Sequence, residues 1–163
     1  MTPPPSFPHA FGLAATADGR VAQIGFVGRL YDEVLGLLME ARTYFLQRER
    51  SDVVGMPSEA RLLVSQETMR ITCRLTHAMA WLLTHKAVAA GEYPAAWALA
   101  DERRLGGQDV CEETYWHDDP NLPPKVRELL TRSLSVYGRI SRLDNDIRTP
   151  PPRPGSGGLA LVR

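Results

Sequence analysis

An all-α fold, an up-down-up three-helix bundle with a long central helix and Pro/Gly-rich tails, is what this sequence predicts. Three segments repeat apolar residues every three or four positions, and none alternates them convincingly as a half-buried strand would. Eight of the 13 prolines lie at the ends, at Pro3, Pro4, Pro5, Pro8, Pro150, Pro151, Pro152 and Pro154. Proline fixes φ and offers no N–H, so the run from Pro150 into the Gly/Ser stretch reads as a polyproline spacer passing into flexible linker. The expected organisation is a flexible tail over 1–24, one helical domain over 25–147 and a disordered tail over 148–163.

The first helix is expected from Phe26 to Glu49. Leu30, Val34, Leu37, Ala41 and Tyr44 form one stripe, while Asp32, Glu33, Glu40 and Gln47 fall opposite, so one face is buried and one is wet. Gly55 and Pro57 stop this pattern, and Ser58 is expected to cap the second helix, Glu59 to Ala90, which ends at Gly91. At ~1.5 Å per residue that helix would be about 45–50 Å long. It carries two apolar stripes, Met69, Cys73, Thr76, Ala80, Leu83 and Ala87 on one side and Ile71, Leu75, Ala78 and Leu82 on another. Two apolar sides need two covers, which predicts a central position in the bundle and a homodimer, with Ile71, Leu75, Ala78 and Leu82 as its interface. Pro94 to Leu105 is expected to form a short helix ended by Gly106-Gly107. The third helix follows Leu122-Pro123-Pro124 and reaches Ile147, with Val126, Leu129, Ser133, Val136, Tyr137, Ile140 and Ile147 inside and Arg127, Arg132, Arg139 and Arg142 outside.

Composition narrows the function. Nineteen basic residues balance nineteen acidic ones, so no global field draws the chain to nucleic acid or to an acidic membrane. The N-terminus has neither the basic start nor the apolar run of a signal peptide, no stretch approaches the roughly 20 apolar residues a bilayer needs, and two cysteines make no disulfide framework. A cytoplasmic protein, neither exported nor membrane-spanning, is expected. No G-x-S-x-G, H-E-x-x-H or phosphate-loop motif occurs, and neither an enzymatic activity nor a cofactor is expected.

The candidate binding residues lie on a third side of the second helix, where Arg70, Arg74, His77, Trp81, His85 and Val88 follow at helical spacing. Tryptophan buries a large flat surface and arginine makes forked charge-assisted bonds, the combination that binding hot spots favour. The competing reading is structural packing, with the arginine stems covering neighbouring hydrophobes. His77 and His85 would let such a face titrate near neutral pH. A second candidate is the C-terminal tail, with Arg153, then Leu159 and Leu161 in an apolar end; tethering raises its local concentration near anything the helices hold. Two weaker metal candidates are Cys73 with His77, and Cys111 with His117, Asp118 and Asp119 in the acidic loop that starts at Asp109.

Across the second helix the chain resembles the RcdA family, the regulator of CtrA degradation. The residues that carry the likeness are Glu67, Met69-Arg70, Thr72, Arg74-Leu75, Trp81-Leu82-Leu83, Ala87-Val88 and Gly91-Glu92, followed by Arg104-Leu105-Gly106. The likeness extends in pattern over about residues 25–147, with departures at Thr68 and at His85-Lys86. It implies a dimeric three-helix bundle without chemistry of its own, an adaptor delivering CtrA-like cell-cycle regulators to the ClpXP protease. It further implies a CpdR-like response regulator as primer, a PopA-like second adaptor as partner, and a cytoplasmic location that takes in the cell pole. Two other classes compete: a small metal-binding protein or enzyme built on the Cys111 and His117 loop, and a DNA-associated regulator using the arginines of the third helix.

Overall fold

The computed structural model of the chain describes residues 17–115 and 118–149, with side chains from residue 25 onward. Every long element in it is helical, and no strand occurs among the described residues. Helix α1 runs Ala17–Gln47, the single turn α2 covers Glu49–Asp52, and helix α3 spans Ser58–Ala89. A connection of short turns follows, with α4 at Ala95–Ala98, a 3₁₀ turn at Asp101–Arg103 and α5 at Gln108–Cys111. Helix α6, Pro124–Arg148, completes the chain's regular structure.

The expected inner stripes fold as written. Leu30, Val34, Leu37, Ala41 and Tyr44 of α1 are buried, as are Val126, Leu129, Ser133, Val136, Tyr137 and Ile140 of α6, with Ile147 partly buried against the same core. Pro124 opens α6 at a position where a missing N–H has no helical acceptor to lose. Helix α1 starts at Ala17, nine residues before the expected Phe26 and inside the stretch read as a tail. Ser58 is the first residue of α3 rather than its cap; Pro57 occupies the cap position and no side chain bonds there. The short helix expected over Pro94 to Leu105 is broken into α4 and the 3₁₀ turn.

The order of the helices in space differs from the expected up-down-up. Lys86 of α3 lies over the Tyr31 ring of α1, so α3 runs back along α1. Glu33 of α1 pairs with Arg139 of α6, and Glu40 with Arg132 and Lys125, so α6 also runs opposite to α1. Arg74 bonds to Leu130, and Trp81, two turns further, to Asp144, so α3 and α6 rise together. The arrangement is up-down-down. A parallel pair needs a connection that travels the length of the helices, and residues 90–123 supply it as a strap. It passes Arg148 at Leu99, Asp144 at Leu105, Tyr137 at Gly106 and Arg74 at Cys111. It ends near the start of α3, where Pro120–Pro124 meet Asp52 and Met56.

Candidate interaction surfaces on the longest helix

Helix α3 meets α1, α6 and the strap. Its Ile71, Leu75, Ala78 and Leu82 are at most 1% exposed and form the middle of the core that α1 and α6 share. These four were expected at a dimer interface; the folded chain buries them by itself, and no second subunit can reach them. The reason is their register, since they are the α3 residues that face both neighbouring helices at once.

The Arg70, Arg74, His77, Trp81 and His85 face is also corrected. It is the seat of the strap, and its cover belongs to the same chain. Arg74 is 0% exposed and donates from Nε to the Cys111 carbonyl at 2.7 Å, from Nη1 to the Leu130 carbonyl at 3.2 Å and from Nη2 to the Glu113 carbonyl at 2.8 Å. Its cationic charge is thus satisfied mainly by main-chain dipoles, and burial followed by the nearby Arg70 lowers its pKa. Arg70 bonds to the Val110 carbonyl at 2.7 Å and forms ion pairs with Glu67 and Glu113. His77 packs its ring on the strap at Gly106 and Gly107. A Cβ on Gly107 would lie 2.6 Å from the imidazole Cδ2, and the residue sits at φ +76°, so both space and backbone demand glycine.

The upper end of the strap closes on one carboxylate. Asp144 is 1% exposed and accepts from Trp81 Nε1 at 2.8 Å, Arg148 Nε at 3.0 Å and the Leu105 N–H at 3.2 Å. Burial by itself would raise the Asp144 pKa, yet these donors hold it below the ordinary value. Arg148 continues to the Leu99 carbonyl at 2.7 Å, fastening the strap's first turn to the end of α6. Trp81 and His85 face each other with ring centroids 3.8 Å apart, and His85 Nε2 is buried without a hydrogen-bond partner. Burial pushes the His85 pKa down to about 4, so this ring does not titrate near neutral pH as expected. Asp144 was missed in the sequence although a signal existed. It falls on the inner stripe of α6 between Ile140 and Ile147, an acidic residue where the period demands an apolar one.

What α3 leaves open is its other stripe. Met69 is 64% exposed, Leu83 50% and Leu62, one heptad before Met69, 60%. Thr76 and Ala80 are exposed and Cys73 and Ala87 half-buried along the same line. Leu62, Met69, Thr76 and Leu83 repeat every seven residues, with Cys73, Ala80 and Ala87 four beyond the last three, the spacing of a helix-to-helix seam with small residues that permit close approach. Helix α1 adds exposed Leu35, Met39 and Leu46.

The other predicted residues are accounted for as follows. Arg153, Leu159, Leu161 and His117 lie outside the described residues. Cys111 is buried, its thiol pushed up to about 11 by burial and by the neighbouring Cys73, and among the described residues no group of three His, Cys, Asp or Glu is placed to hold a metal. Of the arginines of α6, Arg132 and Arg139 pair with acids of α1. No helix among the described residues is long and apolar enough to cross a membrane.

A helical scaffold with a strapped interior and an open apolar seam is the class of protein that this geometry defines. The chain belongs to the family described as "Protein of unknown function (DUF1465)", whose profile matches residues 19–157. No curated protein and no solved structure matches the chain.

Proposed function

We propose that this protein is a non-enzymatic adaptor in regulated proteolysis, of the RcdA kind, working in the cytoplasm and at the cell pole. It delivers CtrA-like cell-cycle regulators to ClpXP together with a CpdR-like response regulator, and a PopA-like second adaptor is among its partners. Family membership and the likeness of the second helix support this reading. The observation that carries it is the exposed heptad stripe of α3, because a folded chain that keeps Leu62, Met69 and Leu83 in water has those side chains available to another macromolecule. The mechanism is raised local concentration, with the helices holding cargo and protease-bound primer side by side.

In this reading the protein is a three-helix adaptor that pairs as a homodimer through the α3 stripe. Small Ala80 and Cys73 let two helices come close, and Leu83 and Met69 pack between them. The tail beyond Arg148 is the contact for protease, primer or cargo.

Pull-down from the native cell lysate, with the full chain and with the chain ending at Arg148, tests the delivery role. Recovery of Clp components and a response regulator by the full chain supports it, and recovery of neither by both chains overturns it. Light scattering tests the pairing separately: Leu83→Lys should halve the measured mass, and a wild-type chain already monomeric at high concentration removes the dimer.

A further inference from the structure

Helix α6 ends against the strap. Arg148 donates to the Leu99 carbonyl at 2.7 Å and to the Ala98 carbonyl at 3.4 Å, so the last turn of α6 lies beside the end of α4. Thr149 then leaves the helix at φ −81° and ψ 120°, close to the polyproline II region, and Pro150-Pro151-Pro152-Arg153-Pro154 follows. That run lies outside the described residues, yet the family profile reaches residue 157 and so extends through it. Beside its starting point the strap carries an aromatic platform. Tyr93 stacks on Trp97 with ring centroids 4.1 Å and planes 12° apart, and its other face is left to solvent, the residue being 46% exposed. Trp97 directly precedes Ala98, whose carbonyl Arg148 touches. Glu92, Asp101 and Glu102 are exposed around the platform, and the Asp101 side chain, at 95%, reaches Arg148 only at 4.0 Å. The neighbouring cations are turned elsewhere, Arg103 onto the Trp97 ring at 4.0 Å and Arg104 toward Asp144 at 3.9 Å.

We propose that the Tyr93–Trp97 platform is a polyproline docking site and that its occupant is this chain's own run over residues 150–154, with Arg153 paired to Asp101. The run is tethered where it is needed, since it begins two residues after Arg148 has met the end of α4. At ~3.1 Å per residue a polyproline II stretch of that length spans about 15 Å, enough to cross a stacked ring pair. Such a stretch is already extended and loses little freedom on binding, and its flat rings pack on aromatic faces, the manner in which proline-rich segments are recognised. Charge agrees with the choice. From Arg148 to the end the chain carries Arg148, Arg153 and Arg163 and no acid, while the platform is rimmed by Glu92, Asp101 and Glu102. A short tether keeps the local concentration of the run on the order of millimolar, so a contact too weak to survive between separate molecules suffices within one. The docked run fixes the point on the strap from which residues 155–163 depart.

This proposal is independent of the delivery role, because it is read on the purified full-length chain alone. NMR of the isotope-labelled chain should show cross-peaks between the proline ring protons of residues 150–154 and the Tyr93 ring. Asp101→Lys should abolish them, and Arg153→Glu added to that chain should restore them. The Asp101 side chain is exposed, so its variant should keep the wild-type urea midpoint, which separates loss of docking from loss of fold. A synthetic peptide of residues 149–158 should bind the Arg153→Glu chain several-fold more tightly than the wild-type chain, whose own run holds the site. Wild-type spectra without these cross-peaks, or cross-peaks that arise only between labelled and unlabelled copies, would overturn the proposal. So would cross-peaks to Tyr93 from Pro3 to Pro8 in place of residues 150–154, cross-peaks that persist in Asp101→Lys, or equal peptide binding by the two chains.

Discussion

The two sides of α3 depart from the usual partition of residues in opposite directions. Toward the strap the helix buries what is ordinarily wet, an arginine at 0% exposure and a glutamate, Glu67, at 2%; away from it the helix exposes Met69 and Leu83. On the strap side the buried charges have named partners, three carbonyls for Arg74 and Arg70 for Glu67, so their burial costs little, while the His85 Nε2 stays unpaired. On the open side no described residue supplies a cover for Met69 or Leu83. The polar side is met by its own chain, and the apolar side is exposed among the described residues.

The sharpest way to break this comparison is at Asp144. Asp144→Ala leaves the Arg148 guanidinium, the Trp81 N–H and the Leu105 N–H short of an acceptor in a buried site, and should cost about 3–5 kcal/mol in urea unfolding. Arg74→Ala comes next. Three carbonyls lose their donor and a cavity opens where a full side chain stood, with an expected loss of about 2–4 kcal/mol and earlier proteolytic cutting between Gly106 and Glu113. Gly107→Ala should cost about 1–3 kcal/mol through its positive φ and its clash with the His77 ring, and His77→Ala in the same chain should recover the clash but not the backbone strain.

Acid titration probes the same side. His85 has its folded pKa at about 4, below the ~6.5 of an unfolded histidine, so the unfolded chain binds the extra proton between those values. Stability is full above the unfolded value, falls as the pH drops toward 4, and has lost this contribution below it. Asp144 adds to the fall at lower pH, since its folded pKa is also depressed and its contribution disappears as the carboxylate protonates. His85→Phe keeps a ring against Trp81, removes the unpaired Nε2 and should flatten the profile between pH 4 and 6.5, as chemical denaturation at stepped pH would read. On the open side the smallest effect is expected. Met69→Lys should change monomer stability by under about 0.5 kcal/mol, and a large loss would mean that the stripe packs within the chain.

The one-faced helices were legible in the sequence because a single period sorts their residues: Leu30 to Tyr44 and Val126 to Ile140 sit where counting puts them. Helix α3 was legible as two-sided but not as to which side meets what. Ile71 to Leu82 and Met69 to Leu83 are equally apolar as strings, and only the positions of α1 and α6 decide that the first is interior. The same holds for Arg74 and Trp81, which pattern alone reads as well for a foreign partner as for a strap. The direction of α6 was hidden by the connection, since residues 90–123 are long enough either to turn at one end or to travel the full length. His77 on Gly107 would have told which, had the glycine's φ been readable from its name.

The parallel run of α3 and α6 also sets an order of assembly. Helices α1 and α3 are joined by a short turn and can zip together from neighbouring residues, whereas α6 must wait for thirty-odd intervening positions to be laid along the first pair. Until the final helix is made, a nascent chain therefore has Arg74 without its Leu130 acceptor and Trp81 without Asp144.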